Sequence, residues 1–569
     1  MELERWPGCL SDAPEECDFF RPPPPAADDS DAGPEPEPEP EPASASRTAG
    51  NTALTARNGF EPGAGTYVTL PQVKLSSLRP HGRLYFTLDG SSPNTSSTPY
   101  ASPIELHGTT LIRVAEVAED GSLQLRSASY VQISSELASA DSNLPLLVVH
   151  TLAEAEPDTY AEEHTPAVAH LQAQAEGGRI PLLGQQRFAR RIGIKVRGRS
   201  TRHFPKHSFS FEVRDEYDED DEHAQLLDLP PQSDWVLYAP YRLDRALLRN
   251  SLFYQLSRNL GRYAPRTRFV ELYLASDNQT VDASSYRGVF VLTEAIKRDH
   301  ARVPLQKLAP EHDALPALSG GYLVRIDEPD PPDLRWSVTG IPQSVILRYP
   351  KADRATQVQL DYIEEYLSGI GRALQSPDGV DPQTQQNAYD MLDVDSFIDH
   401  HILTVFVKNP DGLRLSSYMH KNRNGKLMAG PVWDCDRCMG SYDGRDKNPE
   451  GWLPSGPEAK LFDYGWWQHM FADPGFESRY WARFAEHLDE RHGPLRKEAV
   501  FAEIRELASG LREAAARNAA RYPEAAPRDG SFELEVDLLA GWLQRRIEWT
   551  RANLGQREPT LPTQPDAIP

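Results

Sequence analysis

The period at which apolar residues recur changes along this chain, and that change limits the folds open to it. Between residues 58 and 349 the pattern is short alternation with period two. It is plain over 192–198 and 207–212; 82–87, 110–115, 269–274, 286–293, 322–327 and 345–348 read as further strands, and the apolar run 144–150 as a buried one. Alternation sends successive side chains to opposite faces, which is the mark of a strand. One helix interrupts this part, over 245–260, where Leu247, Leu248, Leu252, Phe253 and Leu256 share a face. From residue 353 the spacing turns helical. Phe397, Ile398, Ile402, Leu403 and Phe406 line 394–406, and Leu538, Leu539, Trp542, Leu543 and Ile547 line 531–554. An Ala-rich run over 498–521 reads as a further helix. With 569 residues the chain is too long for one core. The expectation is an α+β multidomain protein with a β-rich first half and a helical second half.

The ends read differently. Residues 1–57 hold a polyproline run at Pro22–Pro25 and alternating Pro and Glu from Pro34 to Pro42, a stiff, charged composition with nothing to bury. They are expected to form a disordered tail or linker, as is the short stretch 558–569. The acidic run over 215–222 reads as a solvated loop. The formal charge of −24, with no basic stripe interleaved with aromatics, argues against nucleic acid as a partner. No apolar run is long enough to span a membrane as a helix. The first residues lack the basic region and apolar core of a signal peptide, which points inside the cell. Gly8-Cys9 before an acidic, Pro-rich spacer points the other way, to a lipid-anchored surface protein whose leader lies upstream. The other cysteines are Cys17, Cys435 and Cys438. Cys435-x-x-Cys438 has no second pair to complete a zinc site, and reads as a local disulfide on export or as thiols otherwise.

Between residues 406 and 440 two carboxylate-bearing loops flank a predicted hairpin. The turn Asn409-Pro410-Asp411-Gly412 follows an apolar run, the hairpin turns at Asn424-Gly425, and Trp433-Asp434-Cys435-Asp436 comes after it. Phosphoryl transfer needs this division of labour, with one Asp for the acceptor hydroxyl and another for a metal ion. Taken alone, the same residues read equally as a turn and a solvated charge.

Two resemblances sharpen the reading. The segments Y-F-T-L-D-G-S-S-P-N, T-P-Y-A-S-P-I-E-L and T-L-I-R-V-A-E-V-A, within 58–135, resemble the C-terminal domain of chitobiases and β-hexosaminidases. That likeness implies a small β-sandwich with an accessory role, and makes Asp89 a turn residue. Over 143–557, the blocks Arg197-Gly198-Arg199-Ser200 with Phe204-Pro205-Lys206, Asp234-Trp235-Val236-Leu237, Leu248-Arg249-Asn250, and Tyr286 to Glu294 stand in order. Gly320 to Asp327, Tyr349-Pro350, Asn409-x-Asp411 and Trp433-Asp434-x-Asp436-x-x-x-Gly440 come after them. This series resembles the CotH kinase family, the spore-coat-protein-H-like atypical protein kinases. The resemblance implies a two-lobed domain with a β-rich N-lobe and a helical C-lobe.

It also implies roles. Asp411 is the expected catalytic base, and Asp434 the ligand of Mg²⁺ or Mn²⁺. Asp436 either completes the metal site or faces solvent. Lys206 is expected on the ATP phosphates, with Arg197, Ser200 and Arg202 as further contacts. Glu294 either pairs with Lys206, faces the adenine end, or is a strand-end charge. The acceptor would be Ser or Thr of a protein, a surface or coat component by family likeness. One departure stands out: the family's Asn after the catalytic Asp, a second metal ligand, is replaced here by Leu415, Ser416 and Ser417. That loss favours an alternative, a catalytically weak kinase fold serving as a scaffold for surface assembly. Carbohydrate attachment through the 58–135 module would need a row of exposed aromatics, and the sequence has no clear one.

Overall fold

The computed structural model describes residues 58–556, apart from 154, 174–176, 186–187, 218–222, 277–278, 331–332, 458–459 and 529. The tails expected at 1–57 and 558–569, Cys9 and Cys17 lie outside the described residues, as does part of the 215–222 acidic run. The described chain divides into two units, one of residues 58–234 with 270–288 and one of residues 235–269 with 289–556.

The first unit is all β. Its N-terminal sheet has six strands in the order Gly184–Gln185, Gly65–Tyr67, Leu123–Gln132, Thr110–Val117, Arg83–Thr87, Thr98–Pro99. A two-stranded piece, Phe60–Glu61 with Lys74–Leu75, accompanies it. Phe60, Val73, Ile112, Val114 and Tyr130 form the core between them. Asp89 is exposed and accepts from the backbone N–H and hydroxyl of Ser91, as a turn residue does. Glu116 is a buried acid. Burial opposes its charge, but the Ser77 hydroxyl, the Arg79 and Leu78 N–H groups and the Arg126 guanidinium outweigh that and keep its carboxyl below the usual range.

A second sheet comes next in the chain. Ser208–Val213, Phe188–Arg197, Thr165–Gln172 and Leu146–Thr151 are joined antiparallel, and residues 271–275 run parallel to Leu146–Thr151. The two sheets share a core. Leu111, Val131 and Ile133 from the first pack with Leu146, Val148 and Val168 from the second, and with Ile180 and Leu182 between its strands. Gly184–Gln185 even extends the first sheet, pairing with Gly65–Tyr67, and the Thr66 hydroxyl donates to the Leu182 carbonyl at 2.7 Å.

The second unit is mostly helical: α1 Arg249–Asn259, α2 Gln357–Gln375, α3 Val394–Phe406, α4 Pro474–His487, α5 Lys497–Ala508, α6 Leu511–Arg521 and α7 Phe532–Ala552. Thr356 and Gln359 form a capping box at the start of α2. The Ala-rich run predicted as one helix is two, because Gly510 takes φ +78°, a left-handed conformation that ends α5 and restarts the chain as α6. A five-stranded sheet lies in this unit, in the order Arg335–Trp336, Val345–Tyr349, Tyr322–Ile326, Ser417–Lys421, Leu427–Ala429. The described chain is thus α+β, a β-rich part followed by a largely helical one.

The shared core of the first unit predicts that the 58–135 module cannot be weakened alone. Leu111→Ala should cost about 2–5 kcal/mol in denaturant unfolding and expose the 146–172 strands to protease at the same time. Loss of the module with those strands unaffected would contradict the shared core.

Candidate functional site

The site grows from the end of α3. Residues from Ser396 to Phe406 of this helix are all buried. The N–H groups of Val407, Lys408 and Asn409 donate to the carbonyls of Leu403, Val405 and Thr404, and the buried Arg546 of α7 adds donors to those of Val405 and Phe406 at 2.8 and 3.1 Å. Lys408 then turns the chain with φ +52°. The next side chain, Asn409, is 2% exposed and faces two ways. Its Oδ1 accepts from the Asp411 N–H at 3.1 Å, and its Nδ2 donates to the Asp434 carbonyl at 3.0 Å. One amide therefore fixes the Asp411 turn to the Asp434 loop.

The hairpin between them makes that closure possible. Ser417–Lys421 pairs with Leu427–Ala429, turning where Asn424 takes φ +54° and the Gly425 N–H donates to the Asn422 carbonyl. Beyond it, Asp434 has φ +60°, a region that Asp tolerates better than most residues. Helix α1 holds this loop from the other side. Asn250 Oδ1 accepts from the Cys435 N–H at 2.6 Å, and the Tyr254 hydroxyl from the Asp434 N–H at 3.4 Å. Arg249 donates to the Cys438 and Gly440 carbonyls at 2.9 and 3.0 Å and pairs with Asp244 at 2.8 Å. Tyr254 stacks on Trp433, with centroids 5.6 Å apart. Cys435 and Cys438 are joined in a disulfide that brackets Asp436.

Negative charge collects here. Asp436 is 8% exposed, so the solvent-facing alternative does not hold for it. Burial first, then the charge of Asp434, with Asp244 and Asp411 behind, pushes its carboxyl well above the usual range, against the opposing Arg437 guanidinium. Burial and the charges of Asp436, Asp244 and Asp434 likewise raise the Tyr238 phenol. Asp411 is held differently. Its carboxylate accepts from Arg414 at 2.6 Å and from both terminal nitrogens of Arg445 at 3.2 and 3.3 Å. Asp443 accepts from Arg437 and Arg445, so arginine and aspartate alternate along this edge.

The structure brings Asp411, Asp434 and Asp436 together. Glu294 has its own network, where Arg266 donates to both carboxylate oxygens at 2.7 and 3.0 Å, Tyr263 donates at 3.2 Å, and Arg302 lies 3.7 Å away. Arg197 ends a strand of the first unit, Ser200 opens a short 3₁₀ turn, and Arg202 lies within it. Gly198 has φ +102° there, and a side chain on it would strike the Thr201 hydroxyl. Lys206 comes just after, 2% exposed. Next after Leu415 and Ser416, which stand where the family has Asn, Ser417 is buried with its hydroxyl 3.3 Å from the His400 ring, whose pKa burial pushes down to about 4. Sequence reasoning missed Tyr238, Asp443 and Arg445, which no local motif marks. It quoted Asn409 and Asn250 without seeing that they hold the two loops.

The family model described as CotH kinase protein matches residues 194–550. The chain belongs to the CotH kinase family. Residues 62–126 match the model of the chitobiase/beta-hexosaminidase C-terminal domain. No curated protein matches the chain. In this CotH protein no group of three or more His, Cys, Asp or Glu side chains converges as a metal centre among the described residues. The donor set is the carboxylate pair Asp434 and Asp436. That set suits Mg²⁺, which takes one or two carboxylates and leaves its other positions to water and phosphate.

A carboxyl raised in the folded state stabilises the fold fully below its ordinary value of 3.8, and that stability is lost as pH rises through the folded value. At neutral pH without a divalent cation, Asp436 therefore opposes folding. Asp436→Asn should raise the melting temperature measured in chelator and flatten its fall with rising pH. A lower melting temperature at every pH would show that the repulsion is not there.

Proposed function

We propose that this chain is a metal-dependent phosphotransferase that moves the γ-phosphoryl group of ATP to a Ser or Thr hydroxyl of a partner protein. The observation that supports it is the Asn409 side chain, which ties the backbone of Asp411 to that of Asp434. A group to orient an acceptor and a group to hold a cation are thereby fixed in one frame. Bound Mg²⁺ or Mn²⁺ would shield the phosphates and steady the transferring group. Asp434 and Asp436 would hold that cation, and the apo repulsion between them is what its charge relieves. Asp411 accepts a hydrogen bond from the acceptor hydroxyl and takes its proton as transfer proceeds. With two guanidinium groups on its carboxylate, it acts chiefly by orienting that hydroxyl. Lys206, Arg197 and Arg202 supply positive charge for the nucleotide phosphates, and the Ser200 hydroxyl a hydrogen bond. The β-rich and helical parts play the roles of the two lobes of a kinase. A secreted or surface acceptor fits the family likeness, and among the described residues no helix is long and apolar enough to cross a membrane.

A second reading, a kinase fold kept as an assembly scaffold, draws on two observations. Asp411 is engaged by Arg414 and Arg445, and Leu415 and Ser416 stand where the family's Asn would offer a ligand.

Transfer of label from γ-labelled ATP to a mixed protein acceptor separates the two. Asp411→Asn should keep nucleotide binding and lose transfer by about 10²–10⁴-fold. Asp434→Asn should lose both transfer and the metal dependence of binding, without straining the backbone, since Asn also tolerates a positive φ. A wild-type chain that binds ATP and labels nothing, water included, would support the scaffold.

A further inference from the structure

Between the end of α1, the middle of α3 and the hairpin that precedes Asp434 lies a cavity of about 210 Å³. Val303, Pro304, Leu403, Met428, Pro431 and Val432 make its wall mostly apolar. An apolar cavity of about 150 Å³ takes up benzene, so this one has room for a bicyclic ring.

Arg262 and Arg302 also line it, but their charge is already matched. Arg262 donates to Asp399 at 2.7 Å, and Arg302 donates to the Ala295 carbonyl at 2.9 Å and lies 3.7 Å from Glu294. An anion would find no unmatched charge here, and its own desolvation would count against it. Two lining imidazoles, His400 and His420, are what a neutral molecule can bind. Burial holds both below the usual histidine range, so both are neutral at pH 7. The His420 Nδ1 lies 3.1 Å from the Gly430 carbonyl and so carries the proton, which leaves Nε2 as an acceptor. The Ser417 hydroxyl lies 3.3 Å from the His400 Nε2, and the Gly412 backbone is that ring's other polar neighbour. The His400 Nδ1 is buried and makes no hydrogen bond. A buried polar atom without a partner is the exception in folded proteins, and it calls for an occupant.

We propose that this cavity binds a small neutral aromatic molecule that donates one hydrogen bond to an imidazole of the wall. None of Asp411, Asp434 and Asp436 lines it, so binding there is separate from phosphotransfer. Its occupant nonetheless touches segments that lead straight into both carboxylate loops. Val432 stands two residues before Asp434. The His400 ring lies against Ser417 and the Gly412 backbone, on the stretch that follows Asp411. Filling the space braces those segments and steadies the loops that they carry. Water would satisfy the imidazoles and leave the apolar wall unmatched, whereas a ring fills the volume and keeps the hydrogen bond.

The test uses the full chain and three probes of similar shape: indole; benzofuran, which lacks the N–H; and indole-3-carboxylate, which adds a charge. Binding is read by calorimetry and by the rise of the melting temperature. Indole should bind, and benzofuran should bind about two- to tenfold more weakly for want of one hydrogen bond. The carboxylate should not bind measurably. His420→Phe keeps a ring in place and should bring indole down to the affinity of benzofuran. Ala429→Leu puts a longer side chain on the wall and should abolish binding. Melting curves confirm that each variant is folded, and the probe series stands by itself where one is not. With indole bound, hydrogen exchange should slow over 412–420 and 428–434 and stay unchanged in the strands between 165 and 213. No binding of any probe, equal binding of indole and benzofuran, a carboxylate that binds as tightly as indole, or protection confined to other segments would overturn the proposal.

Discussion

One buried cation, Arg546, joins the parts of the helical unit that matter most. Its guanidinium is fully enclosed and donates to four carbonyls, those of Val405, Phe406, Pro449 and Gly451. Two of them end α3, where the helix dipole places partial negative charge that a cation stabilises. Turn N–H groups already donate to Leu403, Thr404 and Val405, and Arg546 adds a second donor at Val405 and supplies one to Phe406, a carbonyl that would otherwise cost about 1–3 kcal/mol if left unsatisfied. With it, the chain leaves α3 at a fixed point, reverses at Lys408, and sets down Asn409 and Asp411. The other two carbonyls belong to the 449–451 loop. The turn that carries Asp411 and that loop thus depend on one side chain.

From that anchor the site is built out of backbone contacts. Asn409, Asn250, Tyr254 and Arg249 all hold main-chain atoms of the 434–440 loop or of the Asp411 turn. Of the carboxylates, Asp411 is also held by Arg414 and Arg445. This explains how the fold tolerates a raised acid at Asp436: the loop is kept in place by hydrogen bonds from Asn250, Tyr254, Asn409 and Arg249 and by the Cys435–Cys438 bridge. The charge of Asp434 helps to raise the Asp436 carboxyl, a cost in stability of the kind that functional sites commonly retain.

Much of this was legible in the sequence, and the reasons differ by level. The change of apolar period located the β-rich and helical parts, and Asn424-Gly425 gave the hairpin because an Asn can take the left-handed turn that Gly425 completes. The carboxylates stood out through their position on either side of that hairpin, and the order of blocks gave the family. Long-range partners were not legible. Nothing near Arg546 in the sequence says that it caps a helix that ends at residue 406, and nothing near Arg445 pairs it with Asp411. The break at Gly510 was missed because an Ala-rich run outweighs one Gly in helical propensity. The sharing of a core between the 58–135 module and the next strands was missed because alternation shows that a face is buried without showing against what.

The central claim is that the Asp434–Asp436 pair is made for a cation that arrives with a nucleotide. Titration of Mn²⁺ followed by electron paramagnetic resonance, with and without a non-hydrolysable ATP analogue, tests it most directly. The account predicts weak Mn²⁺ binding alone, binding strengthened by the analogue, and loss of that strengthening in Asp434→Asn. Mn²⁺ binding that is indifferent to the nucleotide, or unchanged in Asp434→Asn, would contradict it.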